Sequence, residues 1–341
     1  MPEADAEAPA EPTRAGLFER LGTLLLRGLI GVIRLIPLPL ARGLGRFTGS
    51  VISLLGGSYW AEVDHNLRVA FGPDLPRAER RRIARRFWRH LGALAAETCH
   101  LGNWDRARGE RELDASELLS VPVVKEGKRG IIFAVGHFGT WELGPYVMGL
   151  CGYPMHLIYN PGTSQALHEL LKRERERSGM QVVSRHKHPW ALKKLLDKGA
   201  WLAVAADLNA GRKGTFIPLM GVQASSYTTL AALQKVSGAP IVVATTARQA
   251  DDTHKVHVWD IIELPRGPIV EAELIETTAR INRALGRAFR AYPEQWLWTY
   301  RRWRRRPPGE VLDAEGFPPR VAEPDGASES TASPIAEVQP S

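Results

Sequence analysis

Two stretches of the sequence place a histidine five residues before an acid, a pairing that can support base catalysis. In GHFGTWE the pair is His137 and Glu142, and in HLGNWD it is His100 and Asp105. An acid that accepts the imidazole N–H fixes the tautomer, so that the other ring nitrogen can take a proton from a hydroxyl. Because the chain holds 10 histidines and 37 acids in 341 residues, about one such pair is expected by chance. Spacing alone therefore does not choose between them.

The surrounding sequence favours His137. It directly follows the apolar run IIFAVG (131 to 136), which predicts a buried strand, and a helical pattern comes next. In open α/β sheets ligands bind at the carboxyl ends of strands, where helix N-termini add oriented N–H groups. His100 instead follows an arginine-rich helical pattern with no strand before it. We predict that His137 and Glu142 are the catalytic pair and that HLGNWD is the chance match.

The composition of the motif indicates what His137 would deprotonate. No serine or cysteine nucleophile stands in GHFGTWE, which favours a hydroxyl of the substrate as the nucleophile. One histidine and one glutamate are too few ligands for a metal site, so we predict neither a metal nor a cofactor. Cys99 and Cys151 are too few for a disulfide framework, which indicates a reducing compartment.

The elements that must position this pair alternate between β-rich and helical patterns. Short apolar runs predict six strands, at residues 131 to 136, 155 to 159, 180 to 184, 201 to 207, 241 to 246 and 256 to 262. Helical patterns lie between several of them, and two of these patterns end in glycine at a C-cap position. The alternation predicts an α/β fold with a mixed, partly parallel central sheet flanked by helices on both faces.

The amino-terminal region predicts an amphipathic, membrane-associated helical segment. Residues 17 to 55 are mainly apolar, but Arg20, Arg27 and Arg34 interrupt the run and disfavour a transmembrane helix. Seven residues apart, these arginines fall within about 40° of one another on a helix, as in a helix lying among anionic headgroups. A surface helix covering a core and a shallowly inserted hairpin are the alternatives. An acidic leader and the lack of a cleavage site argue against a signal peptide.

Composition and charge divide the chain into four parts. We predict a disordered leader (1 to 15), the membrane-associated segment (16 to 56), a main domain (57 to 318) and a disordered tail (319 to 341). Leader and tail are rich in small and acidic residues and lack aromatic ones. Without residues 1 to 14 and 319 to 341 the chain has 43 basic and 29 acidic residues. This excess implies a polyanionic partner, which could be a phospholipid, an acidic carrier protein or nucleic acid.

Two arginine-rich stretches could bind such a partner. The run PRAERRRIARRFWRHLGALAAETC (76 to 99) predicts a helix with one buried face and an arginine face, for which a solvated surface and a binding role fit equally well. The run YPEQWLWTYRRWRRRP (292 to 307) interleaves tryptophans with arginines. We interpret this second run as a membrane interface rather than a nucleic-acid patch, because the same chain begins with an amphipathic segment.

Several of these stretches together resemble a known family. HFGTWE is similar to the H-x4-[DE] motif of glycerolipid acyltransferases, in the HxGxWE form typical of the bacterial lipid A biosynthesis lauroyl/myristoyl acyltransferases, members of the lysophospholipid acyltransferase superfamily. Further stretches resemble that family in the same order: HNLRVAFGP, RERERSGM, WLAVAADLNAG, the block from residue 214 to 243, and the closing run from 292 to 307. The resemblance covers about residues 17 to 307.

The resemblance implies a glycerolipid acyltransferase-like fold and an O-acyltransferase. It would move an acyl chain from a thioester on acyl carrier protein, or on coenzyme A, to a hydroxyl of a lipid A precursor or related glycolipid. The place of action would be the cytoplasmic face of the inner membrane, without nucleic acid. By resemblance His137 is the general base and Glu142 its partner. The implied substrate-binding residues are Gly139, Trp141, Asp207 and the arginine of the R-x-x-G block, which is Arg175 or Arg177.

Departures from the family pattern leave the acceptor open. Asn160 and Asn209 stand where the family often has an arginine and an acid, and Leu219, Met220 and Gly221 replace Phe-Phe-Gly. These positions belong to the acceptor-facing half, so the alternatives are a mannosylated inositol phospholipid or a lysophospholipid, with coenzyme A as the carrier. A basic membrane-binding or nucleic-acid-binding protein without catalysis is the non-enzymatic alternative.

Overall fold

The computed structural model describes residues 14 to 159, 165 to 185 and 188 to 321. Its helices are α1 (Arg14–Leu35), α2 (Leu38–Leu55), α3 (Ser58–Phe71), α4 (Arg77–His100), α5 (Arg106–Glu112), α6 (Ser116–Ser120), α7 (Pro122–Glu126), α8 (Leu143–Leu150), α9 (Gln165–Glu176), α10 (Pro189–Asp197), α11 (Thr229–Ser237) and α12 (Glu271–Ala291). Its strands are β1 (Leu113–Asp114), β2 (Ile131–Val135), β3 (Met155–Tyr159), β4 (Gln181–Ser184), β5 (Trp201–Ala205), β6 (Thr215–Leu219), β7 (Val222–Ser226), β8 (Ile241–Arg248) and β9 (His254–Ile262). Residues 1 to 13, Asn160 and residues 322 to 341 lie outside the described residues.

A seven-stranded mixed sheet forms the centre, in the order β1-β9-β8-β2-β5-β3-β4. Every pair of neighbours is parallel except β8 and β9, which are antiparallel. All six predicted strands occur, because strands covered on both faces read as short apolar runs. The strand β2 lies in the middle of the sheet, between β8 and β5.

Helices cover both faces of this sheet, as predicted. One face of β2, with Ile132 and Ala134, packs in a core that includes residues of α3, α4, α10, α11 and α12. The other face, with Ile131 and Phe133, packs in a second core with residues of α6, α7 and α8. The fold is therefore mixed α/β, with the end of a central strand held from both sides.

The amino-terminal helices pack against α4. Gly45 and Gly49 of α2 approach the α4 backbone so closely that a Cβ at either position would overlap a carbonyl group of Gly92 or Trp88. Arg34 of α1 donates to the carbonyl oxygen of Cys99 and forms an ion pair with Glu174 of α9. None of the helices that the structure describes combines the length and the apolar character needed to cross a membrane.

The strands β6 and β7 form a separate antiparallel hairpin that the apolar pattern does not predict. Its turn contains Met220 and Gly221, both with positive φ. The backbone of Val321 donates to Gly221, and Arg320 forms a bridge with Val222. Arg320 and Val321, which fall in the predicted tail, thus contact this hairpin.

Four residues of the closing run lie in the core rather than at the predicted membrane interface. Trp296, Trp298 and Trp303 are at most 4% exposed, and Arg302 is fully buried. Trp296 stacks on Phe289 of α12 with ring centroids 4.3 Å apart. The interface interpretation is therefore wrong for these four residues, because the chain after α12 turns back into the core instead of lying on its surface.

Candidate active site

His137 lies just beyond the carboxyl end of β2, and its ring is held by an acid from the neighbouring strand. Its Nδ1 is 2.9 Å from Oδ1 of Asp207, and its backbone N–H donates to Oδ2 of the same carboxylate at 2.7 Å. Asp207 follows β5, which pairs with β2 in parallel register, Val135 beside Ala205. Parallel pairing brings the two strand ends together, so two residues 70 positions apart meet at the same edge.

The hydrogen bond assigns the tautomer of the imidazole. With the proton on Nδ1 and directed at Asp207, the Nε2 lone pair of His137 is available. That nitrogen has no hydrogen-bond partner among the described residues, and the side chain is 30% exposed. Trp141 meets the ring edge-on, with centroids 5.7 Å apart. The arrangement is that of a general base.

Asp207 is buried and fully engaged. Besides His137, it accepts a hydrogen bond from the indole N–H of Trp296 at 2.9 Å. Burial by itself raises the pKa of this carboxyl, but the charge of His137 and these hydrogen bonds outweigh it and hold the pKa below its usual range. Burial likewise opposes protonation of His137, but Asp207, with a smaller contribution from Glu142, raises the pKa of the imidazole above its ordinary value.

Glu142 has a different partner from the one expected. Its two carboxylate oxygens accept from Nε and Nη2 of Arg175 at 2.8 and 2.5 Å. Within the described residues there is no hydrogen bond between Glu142 and His137, and the two interact through charge alone. The physical reason is that Arg175 occupies both oxygens of Glu142, while Asp207 occupies Nδ1 of the ring. The pairing of His137 with Glu142 stays a prediction.

The structure separates the two arginines of the R-x-x-G block. Arg175 points inward, where burial opposes its charge but the attraction of Glu142 is larger and raises its pKa. Arg177 has a 54% exposed side chain and only a 3.4 Å contact with Glu174. Arg175 is therefore the arginine that belongs to the site around His137.

The loop between β2 and α8 is held in place by its backbone. Gly139 has a φ of +57°, and a Cβ there would overlap the carbonyl oxygen of Thr246. Its N–H donates to the Gln295 carbonyl, and its own carbonyl lies 3.3 Å from Nε2 of His90. Only glycine suits this conformation and this close approach. Gly139 thus shapes the loop that carries the candidate residues His137 and Glu142.

An apolar cavity lies beside this loop, on the same face of the sheet as Phe133. Its volume is about 40 Å³. Gly136 and Trp141 lie at the His137 end, and Trp201 and Met155 lie further toward the amino ends of their strands. Because nearly all of the lining is apolar, the cavity suits a hydrocarbon chain rather than a sugar.

Other candidate residues have structural roles. His100 is buried, with its two ring nitrogens near the carbonyl oxygens of Ala96 and Ile36, and Asp105 caps α5. Asn209 binds the Tyr300 hydroxyl through its backbone and the Arg302 carbonyl through its side chain. In the described part of the chain, no group of three or more His, Cys, Asp and Glu side chains could hold a metal.

Sequence reasoning missed Trp296 and Arg302 as part of the site. The two lie in the closing run, where interleaved arginine and tryptophan suggested a surface. Burial lowers the pKa of Arg302 to about 10, and the charge of Asp207 partly offsets this effect. The signal available in the sequence was the pair Trp296 and Trp298 in the closing run. This pair does not reveal that the indole of Trp296 binds the distant carboxylate of Asp207.

Known proteins are similar to this chain over most of its length. A sequence profile of the bacterial lipid A biosynthesis acyltransferases matches residues 14–305. The lipid A biosynthesis palmitoleoyltransferase of Escherichia coli (strain K12) is 29% identical over 72% of this chain and 78% of its own length. The lauroyltransferase of the same organism is 28% identical over 83% of this chain and 91% of its own. The chain therefore belongs to the bacterial lipid A biosynthesis acyltransferase family and is an acyltransferase.

Proposed function

We propose that this enzyme moves a fatty acyl chain from an acyl carrier protein thioester to a hydroxyl of a lipid A precursor, with His137 as the general base. The observation that carries the proposal is the open Nε2 of His137, whose other ring nitrogen binds the buried Asp207. The relatives' names supply the reaction class and the acceptor. The non-enzymatic alternative is set aside because the family is one of acyltransferases.

The geometry supports a single proton shuttle. His137 Nε2 takes the proton of the acceptor hydroxyl while the oxygen attacks the thioester carbonyl carbon. A new C–O bond forms, the C–S bond breaks, and the imidazolium returns the proton to the departing thiolate sulfur. The neighbouring carboxylates stabilise the imidazolium, which is why the pKa of His137 is raised.

We assign different tasks to the two acids. Asp207 holds the ring and its tautomer through a direct hydrogen bond. Glu142 adds negative charge near the imidazolium, and Arg175 fixes the orientation of Glu142. In this assignment Arg175 is a positioning residue, because two of its nitrogens are committed to Glu142. The edge-on contact of Trp141 with the His137 ring supports a substrate-binding role for Trp141, whereas the same role for Gly139 stays a prediction.

The apolar cavity is proposed as the binding site of the acyl chain. Gly136 and Trp141 line the end of the cavity nearest the base, so a chain that entered at this end would present its carbonyl near His137. The cavity is too narrow for a fatty acyl chain unless lining side chains move. Met148 and Met155, which are unbranched and flexible, are the side chains best suited to move.

The amino-terminal helices support attachment to a membrane surface. Of the nineteen large apolar side chains that are exposed in the structure, thirteen belong to residues 24 to 59. Soluble monomers rarely expose so concentrated an apolar surface, whereas helices that lie in a bilayer interface do. We propose that these helices hold the active site at the cytoplasmic face of the inner membrane, where a lipid A precursor would be reached.

The proposal is tested with purified full-length enzyme, an acyl carrier protein thioester and a lipid A precursor. His137→Ala should lower kcat by about 10² to 10⁴-fold or more, with the far-UV circular dichroism unchanged. His188→Ala, at an exposed histidine, is the matched control and should keep full activity. Retained activity in His137→Ala refutes the proposed base.

Mass spectrometry of the lipids decides the acceptor. Cells with the enzyme should contain a lipid A species that is heavier by one acyl group than the lipid A species of cells without the enzyme. A mass shift on a mannosylated inositol phospholipid or a lysophospholipid instead, with acyl-coenzyme A consumed, identifies one of the alternative acceptors.

A further inference from the structure

The helix α4 carries a row of arginines for which the described structure offers few partners. Seven arginines lie between Arg77 and Arg89, and two of them are paired, Arg80 with Asp64 and Arg82 with Glu79. The other five are exposed and form no ion pair with any described residue. We call them the arginine row: Arg77, Arg81, Arg85, Arg86 and Arg89.

The arginine row borders the apolar surface of α2. Arg89 donates to the Ser50 hydroxyl at 3.3 Å, and Gly49 lies directly against the α4 backbone at Trp88 and Arg89. The outer side of α2 exposes an apolar stripe with helical spacing, made of Leu40, Leu44, Phe47, Val51 and Leu54. Backbone contact between the two helices thus places Arg89, the last residue of the row, next to the helix that carries the stripe.

We propose that the arginine row binds the phosphates of anionic phospholipids while the stripe on α2 enters the outer part of the acyl layer. This inference rests on the proposed attachment to a membrane and specifies its lipid. Five exposed guanidinium groups without ion pairs, on a helix packed against one that exposes leucines, match a bilayer interface, in which phosphates lie just above hydrocarbon. An acidic carrier protein would satisfy the charges but would leave the adjacent apolar stripe in water.

The contribution of the row follows from the charge of a lipid surface. Each basic residue near an anionic leaflet strengthens binding by about fivefold, so three together contribute about a hundredfold, and salt weakens the effect. The stripe acts on any bilayer, charged or neutral. Lipid charge and apolar insertion can therefore be separated by experiment.

The experiment measures sedimentation of the full-length enzyme with vesicles of phosphatidylcholine alone or mixed with phosphatidylglycerol. The variant Arg81→Gln/Arg85→Gln/Arg86→Gln should bind the mixed vesicles about a hundredfold more weakly and the neutral vesicles unchanged. The control Arg111→Gln/Arg304→Gln/Arg305→Gln removes the same charge from exposed arginines elsewhere and should bind like the wild type.

A second variant tests the attachment itself. Phe47→Ser/Leu54→Ser should weaken binding to both kinds of vesicle. If it does not, the proposed membrane attachment is wrong. If only the arginine triple variant binds mixed vesicles like the wild type, the attachment stands and the inference about the row is overturned. If the arginine triple variant binds vesicles like the wild type but has a raised KM for the acyl carrier protein thioester, the arginine row docks the carrier protein and the inference about lipid phosphates is overturned.

Discussion

Trp201 should set the length of the acyl chain that the enzyme transfers. In the sheet Trp201 lies beside Ile131, while Ala205 lies beside Val135 near the mouth of the cavity. The indole is held by Tyr153, stacked on it at 4.7 Å, and by Phe133 at 5.4 Å. Among the residues lining the cavity, Trp201 and its neighbour Met155 lie furthest from His137 along the strands, so we take them as its floor.

The register gives the depth of the cavity. Four residues separate the level of Trp201 from that of Ala205, or about 13 Å at about 3.3 Å per residue. Each methylene of an extended chain advances about 1.25 Å for a C–C bond of about 1.5 Å. Once the lining side chains move aside, about ten methylenes therefore span the distance from the His137 end to the floor. We expect the wild type to prefer acyl chains of about twelve carbons.

Replacing the floor should lengthen the preferred chain. In Trp201→Leu the smaller side chain leaves room for about two more methylenes, each contributing about 0.8 kcal/mol when buried. Together they amount to about 1.6 kcal/mol, or about a fifteenfold rise in the ratio of kcat/KM for a fourteen-carbon over a twelve-carbon donor. The assay is competition between carrier thioesters of defined length, with products separated by mass.

Two further variants sharpen the test. Ala203→Leu narrows the cavity at the level of Phe133, two residues nearer the mouth, and should shift the preference to shorter chains. Trp190→Leu removes an indole that is 60% exposed and should leave the profile unchanged. If both cavity variants are folded and keep the wild-type chain-length profile, the chain does not bind in this cavity.

Three predictions concern the ionisable groups. Asp207→Asn removes the charge that raises the pKa of His137, so the acid limb of the plot of kcat/KM against pH should move to lower pH. In the same variant kcat should fall about 10² to 10⁴-fold. If the acid limb does not move, it reports the titration of a group other than His137. Burial, the largest effect, lowers the pKa of His90 to about 3 from 6.5. Between pH 6.5 and about pH 3, His90 therefore binds a proton in the unfolded state but not in the folded state. As the pH falls through this range, the free energy of unfolding should decrease by up to about 1.4 kcal/mol per pH unit. This decrease should be absent in His90→Gln. Glu97 binds two buried arginines, so Glu97→Gln should lower the free energy of unfolding by about 3 to 5 kcal/mol in urea titrations, and a loss under 1 kcal/mol would contradict the buried network.

The sequence predicts the sheet well because its strands are buried on both faces. Runs such as IIFAVG and IVVATT are too short and too apolar for surface helices, and the helical patterns between them indicate that they are buried strands. The hairpin of β6 and β7 is not predicted from the sequence. Its turn has Met220 with positive φ, at a position where asparagine or glycine would usually indicate a hairpin turn. Its strands also contain serine, glutamine and proline, which break the apolar pattern.

The sequence predicts part of the site, and it does not predict the contacts that depend on which strands are neighbours in the sheet. The position of His137 follows from a local pattern, a buried strand followed by glycine. The partner of its Nδ1 does not, because Asp207 becomes its neighbour only when β5 pairs with β2. Spacing within one motif points to Glu142, which the fold pairs with Arg175. Tryptophan is equally suited to a core and to a membrane interface, so the closing run could not be placed from composition.

The bond between Trp296 and Asp207 has a consequence for how the enzyme is made. His137 leaves the ribosome well before Trp296, whose indole completes its surroundings and which lies 159 positions further along the chain. At about 5 to 20 residues per second, the interval is roughly 8 to 32 s. Under the proposed attachment, the apolar amino-terminal helices can reach the bilayer during that time. In this proposal a nascent chain is attached to the membrane before the surroundings of His137 are complete.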